Sequence, residues 1–120
     1  MCMRRHSEIW LINLDPTIGA EIKKTRPAVI VSSAEIGILP LKVIAPITDW
    51  KPNYALVPWM VQVQPHAHNG LSKPSAVDTF QVRCVSETRF IRRLGVLNTD
   101  TMQSIVSALA EVLEIGQETR

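Results

Sequence analysis

The chain has 120 residues, of which 46% are hydrophobic and 20% are charged, and its formal net charge is +2. This balance excludes a disordered chain and a strongly basic, histone-like protein. No apolar run approaches the roughly 20 residues that a membrane-spanning helix needs, and two cysteines are too few for a disulfide framework. We therefore expect one domain over residues 1–120, in the cytoplasm and without a membrane anchor.

Apolar runs predict five β-strands, separated by turns that Pro, Gly, Asn and Asp mark. In chain order these strands are Glu8–Leu14, Ala28–Ser32, Leu41–Ile47, Ala55–Gln64 and Ser75–Cys84. Pro58 indicates an edge or a bulge in the fourth of them. Residues 89–96 are interpreted as a short turn that is followed by a further strand.

The C-terminal segment changes to helical periodicity. Apolar residues recur there at spacings of three and four: Met102, Ile105, Val106, Leu109, Val112 and Leu113. Asn98 or Thr99 is suited to cap the start and Gly116 to end the helix, which predicts a helix over about 99–115 and a flexible tail over 116–120. Short strands with one terminal helix favour a small, curled antiparallel sheet or barrel on which the helix packs.

A long polar loop joins the first two strands and ends at Arg26. Pro27 directs Arg26 toward extended geometry, so the loop presents one arginine at the mouth of an apolar strand. Polar loops that are anchored on buried strands often carry function. Lys23 and Lys24 add positive charge there, and Arg83, Arg89, Arg92 and Arg93 follow later in the chain. These basic residues indicate either a surface for an anionic ligand such as nucleic acid or simply solvated charge.

Other chemically capable residues have plainer interpretations beside the functional one. His66 and His68 have no further zinc ligands at a matching spacing, so we expect no metal site. Cys84 follows Arg83, which can lower the pKa of a thiol, but its place at the end of a predicted strand favours a buried structural cysteine. Trp50 lies in a polar turn, where it is suited to stacking on a base or to folding back over the core.

Several short motifs occur in an order and spacing that resemble the MazF/PemK/Kid family of toxin endoribonucleases. They are EIWLINLDPT at 8–17, then Gly19 and Glu21, TRP at 25–27 with a valine-rich strand after it, PIT at 46–48, QVR at 81–83 and RRLG at 92–95. Together with the terminal helix, they extend the resemblance from about Ser7 to Ile115.

The resemblance implies a mainly β fold, namely an SH3-like small antiparallel β-barrel with a C-terminal helix, which forms a homodimer. It also implies sequence-selective cleavage of single-stranded RNA without a metal or other cofactor. The 2′-OH of the RNA attacks the neighbouring phosphate and leaves a cyclic phosphate and a 5′-OH. The implied protein partner is a cognate antitoxin whose acidic C-terminal tail occupies the RNA groove.

Carried over by position, the family's essential arginine falls on Arg26, its threonine on Thr48 and its acidic loop residue on Glu21. Arginine stays protonated, so the expected role of Arg26 is to stabilise negative charge or to donate a proton to the leaving oxygen. Thr48 then orients the phosphate, and Glu21 is the candidate general base. The residues alone favour an ion pair between Arg26 and Glu21 and a turn-capping role for Thr48. The predicted RNA-binding residues are Lys23, Lys24, Trp50, Asp78, Phe80, Gln81 and Arg83.

Four positions depart from the family pattern. Ala20 stands where some relatives have a histidine, and Phe80 stands where many have Asp or Glu. Ile22 and Lys24 replace the usual glutamine and glycine of the loop, so the acid–base set of the histidine-and-aspartate branch is absent. Two alternatives to a nuclease stay open: a non-enzymatic CcdB-like toxin that poisons DNA gyrase, and an RNA- or partner-binding barrel that has lost catalysis.

Overall fold

A computed structural model describes residues 6–34 and 39–116, so that of the predicted tail 116–120 only Gly116 is described. Seven antiparallel strands precede one helix. They are β1 (Glu8–Asn13), β2 (Thr25–Ile30), β3 (Leu41–Asp49), β4 (Met60–Val63), β5 (Ser75–Asp78), β6 (Arg83–Ser86) and β7 (Phe90–Val96), followed by α1 (Thr99–Val112). Short 3-10 helices cover Pro52–Leu56, Thr79–Gln81 and Glu87–Arg89. The mainly β fold with a terminal helix is confirmed.

β3 is the strand around which the sheet is organised. The strand order is β4-β5-β3-β2-β1-β7, and β6 also pairs with β3. One edge of β3 pairs with β2, whereas its other edge pairs with β6 over Leu41–Ile44 and with β5 over Ile47–Asp49. In the described residues β4 and β7 do not pair with each other, so the sheet is not closed into a barrel.

Two apolar clusters bury the two faces of this sheet. The first cluster contains Ile9, Val29, Ala45, Ile47, Val63, Val77 and Leu97, with Met102 and Ile105 from α1. The second contains Trp10, Ile12, Leu14, Ala28, Ile30, Ile44, Val85 and Phe90. Because successive side chains of a strand point to opposite faces, neighbours in β1 and β2 enter different clusters. This explains why both strands have continuous apolar runs rather than an alternating pattern.

The predicted strand Ala55–Gln64 is wrong in its first half. Its first residues belong to the 3-10 helix Pro52–Leu56, and β4 covers only Met60–Val63. Pro52 stands at the start of that helix, where the backbone N–H has no partner within the helix, so the missing N–H of proline costs no hydrogen bond. Pro58 therefore precedes β4 and does not mark an edge or a bulge within it.

The predicted strand Ser75–Cys84 is broken into β5 and β6 by a 3-10 helix. On β3 the paired residues pass from Ile47 to Ile44, a step of three residues. The segment that pairs with β3 needs six residues for the same step, from Val77 to Arg83. The additional residues leave the ladder and project from it as a short turn. Apolar periodicity did not indicate this break, which places the QVR motif beside the first loop.

The helix α1 begins as predicted but ends earlier. Asn98 is the cap, because its side-chain oxygen accepts a hydrogen bond from the Thr101 amide at 2.8 Å. The helix ends at Val112 rather than near residue 115, and left-handed backbone follows at Glu114 and Gly116. Nowhere in residues 6–34 and 39–116 is a helix long and apolar enough to span a bilayer.

Cys84 is exposed, so its prediction as a buried structural cysteine is wrong. It lies in β6 opposite Val43, and its neighbour Val85 is the residue that enters the core. Alternation of side chains then turns Cys84 outward. Cys2 lies outside the described residues.

Candidate functional site

The loop between β1 and β2 is closed at its stem by two hydrogen bonds, one within the backbone and one to a side chain. The Leu14 amide donates to the Lys24 carbonyl at 3.0 Å, and the Lys24 amide donates to Asp15 Oδ1 at 3.0 Å. Lys24 has a φ of 71°, in the left-handed region that glycine adopts without strain. This explains why a glycine suits that loop position and shows that the lysine adopts the same geometry.

Gln81, which lies in the turn between β5 and β6, holds the middle of this loop. Its Oε1 accepts a hydrogen bond from the Ile22 amide at 2.7 Å, and its Nε2 donates to the Ala20 carbonyl at 3.4 Å. Both atoms of the side-chain amide therefore bind the backbone that flanks Glu21. Gln81, which the sequence predicted to bind RNA, positions the loop in this structure.

Two arginines hold the other side of the same loop. Arg83 Nη1 donates to the Leu14 carbonyl at 3.1 Å. Arg89 Nη1 donates to the Asn13 carbonyl at 3.1 Å and also to the Asp15 carbonyl. Hydrogen bonds from charged donors are stronger than neutral ones, so both arginines fix the end of β1 where the loop begins.

We expect Gln81→Ala to loosen the loop without unfolding the protein. One hydrogen bond contributes about 1 kcal/mol net, so amide exchange at Ile22 should accelerate about fivefold, as measured by NMR. Gln62→Ala, on the exposed side of β4, is the matched control and should leave that rate unchanged. Equal exchange rates in the two variants would contradict the role of Gln81 in holding the loop.

Arg26 and Thr48 come from neighbouring strands. Ala28 of β2 pairs with Pro46 of β3, and the same register continued by two residues places Arg26 across from Thr48. Thr48 lies inside β3 opposite Ala76, so it does not cap a turn. Within the described ranges its hydroxyl has no hydrogen-bond partner.

The side chain of Arg26 makes one hydrogen bond, from Nε to the Lys23 carbonyl at 3.0 Å. Glu21 instead accepts a hydrogen bond from the Ile18 amide at 2.7 Å. No ion pair joins Arg26 to Glu21 in the part of the chain that the structure describes, so the plainer interpretation from the sequence is wrong. The terminal nitrogens of Arg26 are left available to a ligand.

A cleft of about 320 Å³ opens where β2 begins and β3 ends, and both Arg26 and Thr48 belong to its lining. The apolar part of the lining is Leu11, Pro27, Ile47, Leu71 and Leu94, and its hydroxyl residues are Thr25, Thr48, Ser72 and Ser75. Asp49, Lys73 and Arg92 complete the charged part. The structure thus brings the two predicted catalytic residues of the strands to one concave surface.

The two predicted aromatic RNA-binding residues lie in separate places. The Trp50 amide donates to the Pro74 carbonyl at 3.0 Å, and its ring packs edge-on against Tyr54 at 5.8 Å. Trp50 belongs to neither core cluster and adjoins the segment that carries Lys73. Phe80 is 65% exposed and lies 5.4 Å from the Trp59 ring. Neither Trp50 nor Phe80 belongs to the lining of the cleft.

Asp78 is buried at the end of β5, with 4% of its surface exposed. Its Oδ1 accepts a hydrogen bond from the Phe80 amide at 3.1 Å, which starts the turn that carries Gln81. Burial raises the pKa of the Asp78 carboxyl above its ordinary value of 3.8, and hydrogen bonds from the Phe80 and Gln81 amides partly oppose this. An effect of Asp78 on RNA binding would therefore act through the turn.

We expect Asp78→Asn to change how stability depends on pH. The raised pKa of Asp78 contributes stability that is fully present below pH 3.8, the unfolded value, and is lost as pH rises through the folded pKa. Asn keeps an acceptor for Phe80 but does not titrate, so its stability relative to wild type should increase across that window. Urea unfolding at several pH values measures this, with the exposed Asp49→Asn as control. Parallel curves for wild type and Asp78→Asn would contradict it.

Sequence reasoning gave Arg89 and Arg92 no specific role beyond a possible anion-binding surface of basic residues, and it did not single out Lys73. No local signal showed that Arg89 contacts the first loop. Lys73 reaches the cleft through the connection between β4 and β5, which no periodicity predicts. Their roles depend on contacts between segments that are far apart in the chain.

No group of three or more His, Cys, Asp or Glu residues that could hold a metal ion occurs in residues 6–34 and 39–116. The rings of His66 and His68 lie 4.9 Å apart, and His66 Nδ1 accepts a hydrogen bond from the His68 amide at 3.1 Å. Asn69, which is buried between them and the sheet, fixes this turn through the His66 and Leu71 amides. The pair is a turn structure and lies apart from the cleft lining.

Comparison with known proteins agrees with this architecture. The chain is 28% identical over 120 residues to endoribonuclease MazF9 of Mycobacterium tuberculosis, which covers 94% of this chain and 98% of that protein. The structure of MazF (Form-I) from Deinococcus radiodurans matches with a TM-score of 0.80 at 22% identity, covering 96% of this chain and all of that one. An endoribonuclease in complex with its cognate antitoxin from mycobacterial species matches with a TM-score of 0.72 at 20% identity, covering 92% and 95%.

The family model of PemK-like, MazF-like toxins of type II toxin–antitoxin systems matches residues 5–113. This range contains every strand, the polar loop and the helix α1. The matching solved structures have the same fold over nearly the whole chain. The chain therefore belongs to the family of PemK-like, MazF-like toxins of type II toxin–antitoxin systems.

Proposed function

We propose that the chain is the toxin of a toxin–antitoxin pair and acts as a sequence-selective, metal-independent endoribonuclease on single-stranded RNA. The observation that carries this proposal is the meeting of Arg26 and Thr48 at one cleft. Both side chains have hydrogen-bond donors that no described residue occupies. The curated relative MazF9, which is named an endoribonuclease, supports the same activity.

The proposed reaction is an attack of the RNA 2′-oxygen on the adjacent phosphorus. The bond from phosphorus to the 5′-oxygen breaks, and that oxygen takes up a proton from Arg26 or from water, which leaves a 2′,3′-cyclic phosphate and a 5′-OH. Negative charge grows on the non-bridging oxygens during the attack, and preorganised donors stabilise it. Arg26 supplies a permanent positive charge, and Thr48 supplies a hydroxyl that orients the phosphate.

Glu21 is the residue we assign to accept the 2′-OH proton. Its carboxylate is exposed and uses Oε1 to accept the Ile18 amide hydrogen, so Oε2 is available for a proton. The flanking backbone is bound by Gln81 on both sides. A general base must be held within hydrogen-bond reach of its proton, and this clamp restricts where the carboxylate can lie.

Three further statements belong to this proposal. We expect the toxin to form a homodimer, to bind a cognate antitoxin through an acidic C-terminal tail, and to act in the cytoplasm, where its RNA substrate is found. The solved complex of a similar endoribonuclease with its cognate antitoxin supports an antitoxin partner. Lys23 and Lys24 are exposed on the loop and have the charge that such a tail would bind.

The proposal is tested by incubating the purified chain with end-labelled single-stranded RNA in excess EDTA. We expect fragments with 5′-OH and cyclic phosphate ends, and no cleavage of the DNA oligonucleotide of the same sequence, which lacks the 2′-OH. Binding without cleavage would favour the non-catalytic barrel. Toxicity that depends on α1 but not on Arg26 would favour the CcdB-like alternative.

A further inference from the structure

We propose that the cleft beside Arg26 and Thr48 is a nucleotide subsite, in which Arg92 and Lys73 bind the phosphate next to the scissile one. This inference rests on the proposed endoribonuclease function and assigns a substrate contact to two residues outside its catalytic set.

The floor of the cleft is apolar and spans adjacent strands. Leu11 of β1 pairs with Pro27 of β2, and both are partly exposed; the register between β2 and β3 continues this row to Ile47, which is buried. Such a surface can receive a ribose or a base. At about 320 Å³, the volume lies at the lower end of the range for ligand sites, roughly 300–1,000 Å³. The space is therefore suited to a single nucleotide rather than to a longer segment.

Arg92 is a cation of this cleft with an unoccupied guanidinium. It lies in β7 opposite Leu11 and is exposed, and no residue of the described ranges accepts a hydrogen bond from it. Its neighbours differ, because Arg89 binds carbonyls of the first loop and Arg93 forms an ion pair with Glu8 at 3.4 Å. An unpaired guanidinium at a cleft is suited to bidentate contact with a phosphate.

Lys73 faces the cleft from the connection between β4 and β5. Its Nζ lies 3.2 Å from Asp49 Oδ2, and both side chains are more than half exposed. Asp49 is the carboxylate among the lining residues, so it weakens the positive potential there. An exposed ion pair contributes little to stability. Lys73 can therefore leave Asp49 and bind a phosphate with little loss of free energy.

The wall that carries Lys73 is fixed on β7 by close backbone contact. The Val96 amide donates to the His68 carbonyl at 2.8 Å, and at Gly70 an added Cβ would lie 2.2 Å from the Leu94 carbonyl oxygen. The connection therefore lies directly on the strand that holds Arg92. This contact keeps the two cations on the same cleft before any ligand arrives.

An RNA phosphate fits these features better than an acidic peptide does. Arg26 and Thr48 alternate with Pro27 and Ile47 along β2 and β3 and line the same end of the sheet, so an RNA strand that crosses this end would place the nucleotide next to the scissile phosphate in the cleft. The apolar floor and the hydroxyls of Thr25 and Ser72 are suited to a sugar and its phosphate. An acidic side chain would use the cations and leave the floor empty.

The first test measures binding of a fully 2′-O-methylated, uncleavable RNA to the full chain by fluorescence anisotropy over a series of salt concentrations. We expect Arg92→Ala to weaken binding about tenfold and to reduce the slope of log affinity against log salt by about 0.7, the value for one phosphate contact of a single strand. Arg93→Ala removes the same charge one residue away and should change affinity by less than about twofold. Asp49→Asn should strengthen binding, because it removes the opposing charge.

The second test locates the contact. Neutral methylphosphonates replace the phosphates of the RNA one at a time. At one position only, the replacement should abolish the difference in affinity between wild type and Arg92→Ala, and that position is the contact which the double-mutant cycle identifies. On cleavable RNA, Arg92→Ala should raise KM and leave kcat nearly unchanged, because it removes binding common to ground and transition states.

Each outcome decides between the alternatives. Equal effects of Arg92→Ala and Arg93→Ala, with wild-type cleavage intact, would overturn the subsite and leave the proposed function standing. Weakened binding of a polyglutamate peptide with unchanged RNA binding would overturn it in favour of an acidic partner. A wild-type chain that neither binds nor cleaves RNA would overturn both the function and the subsite.

Discussion

Arg26→Ala is expected to lower kcat for RNA cleavage by about 10²–10³-fold, the usual loss when one preorganised charge stabiliser is removed. The reason is geometric, because Arg26 and Thr48 share one cleft lining and no other arginine of the described lining comes from β2 or β3. Gel analysis of end-labelled RNA in EDTA measures the rate. Equal rates for wild type and Arg26→Ala would contradict the assignment.

The fold should survive this substitution. Arg26 makes a single hydrogen bond, to the Lys23 carbonyl, and forms no ion pair among the described residues. Loss of one such bond costs about 1 kcal/mol, so the unfolding transition should shift only slightly. Arg26→Lys is a sharper control, since it keeps the charge but loses the planar fork. We expect it to recover only part of the activity.

Glu21→Gln separates the base from the charge stabiliser. The amide oxygen of Gln can still accept the Ile18 amide hydrogen that Glu21 Oε1 accepts, so the loop turn should persist. Because Gln has no carboxylate to accept the 2′-OH proton, the substitution should lower kcat by about 10²–10⁴-fold and leave the affinity for uncleavable RNA nearly unchanged. An unchanged kcat for Glu21→Gln would exclude Glu21 as the base.

Gly95→Ala is expected to have the largest effect on stability, about 3 kcal/mol. An added Cβ at this position in β7 would lie 2.3 Å from the His68 carbonyl oxygen and 2.5 Å from the Asn69 carbonyl carbon. These are backbone atoms, so no side-chain rotation relieves the overlap. The connection that carries Lys73 would have to leave β7, and binding of uncleavable RNA should weaken with it.

Urea unfolding measures this effect, with Gly19→Ala as the matched control. Gly19 has a φ of 62° and no atom within 4 Å of an added Cβ, so only the left-handed backbone opposes alanine there, at about 1 kcal/mol. Equal losses of unfolding free energy at the two positions would show that close packing does not explain Gly95.

Local patterns predicted the elements whose formation depends on nearby residues. β1 and β3 were predicted with nearly correct bounds, because continuous apolar runs are typical of strands buried on both faces. Helical spacing and Asn98 predicted the start of α1. The end of α1 was less well predicted, since the turn after Val112 uses left-handed backbone at Glu114 before Gly116 is reached.

The failures fall where tertiary pairing overrides local pattern. The stretch from Ser75 to Cys84 is apolar enough for one strand, but Asp78 caps a turn in its middle and β3 pairs with it in two separate pieces. Cys84 was predicted to be buried because it stands at the end of the predicted strand. The side on which each residue lies depends on where β6 begins, which only the pairing with β3 fixes.

By itself, the sequence determined that the chain is mainly β with a terminal helix, that a polar loop leads to Arg26, and, by resemblance, which family to expect. The tertiary structure decided what surrounds that arginine. Gln81 reaches the loop across 59 residues of chain and Arg89 across more than 70, and Lys73 and Arg92 share the cleft through the docking of one connection on β7. Strand and helix periodicity follows from neighbours a few residues apart, whereas a site follows from pairing register between distant strands, which no local pattern contains.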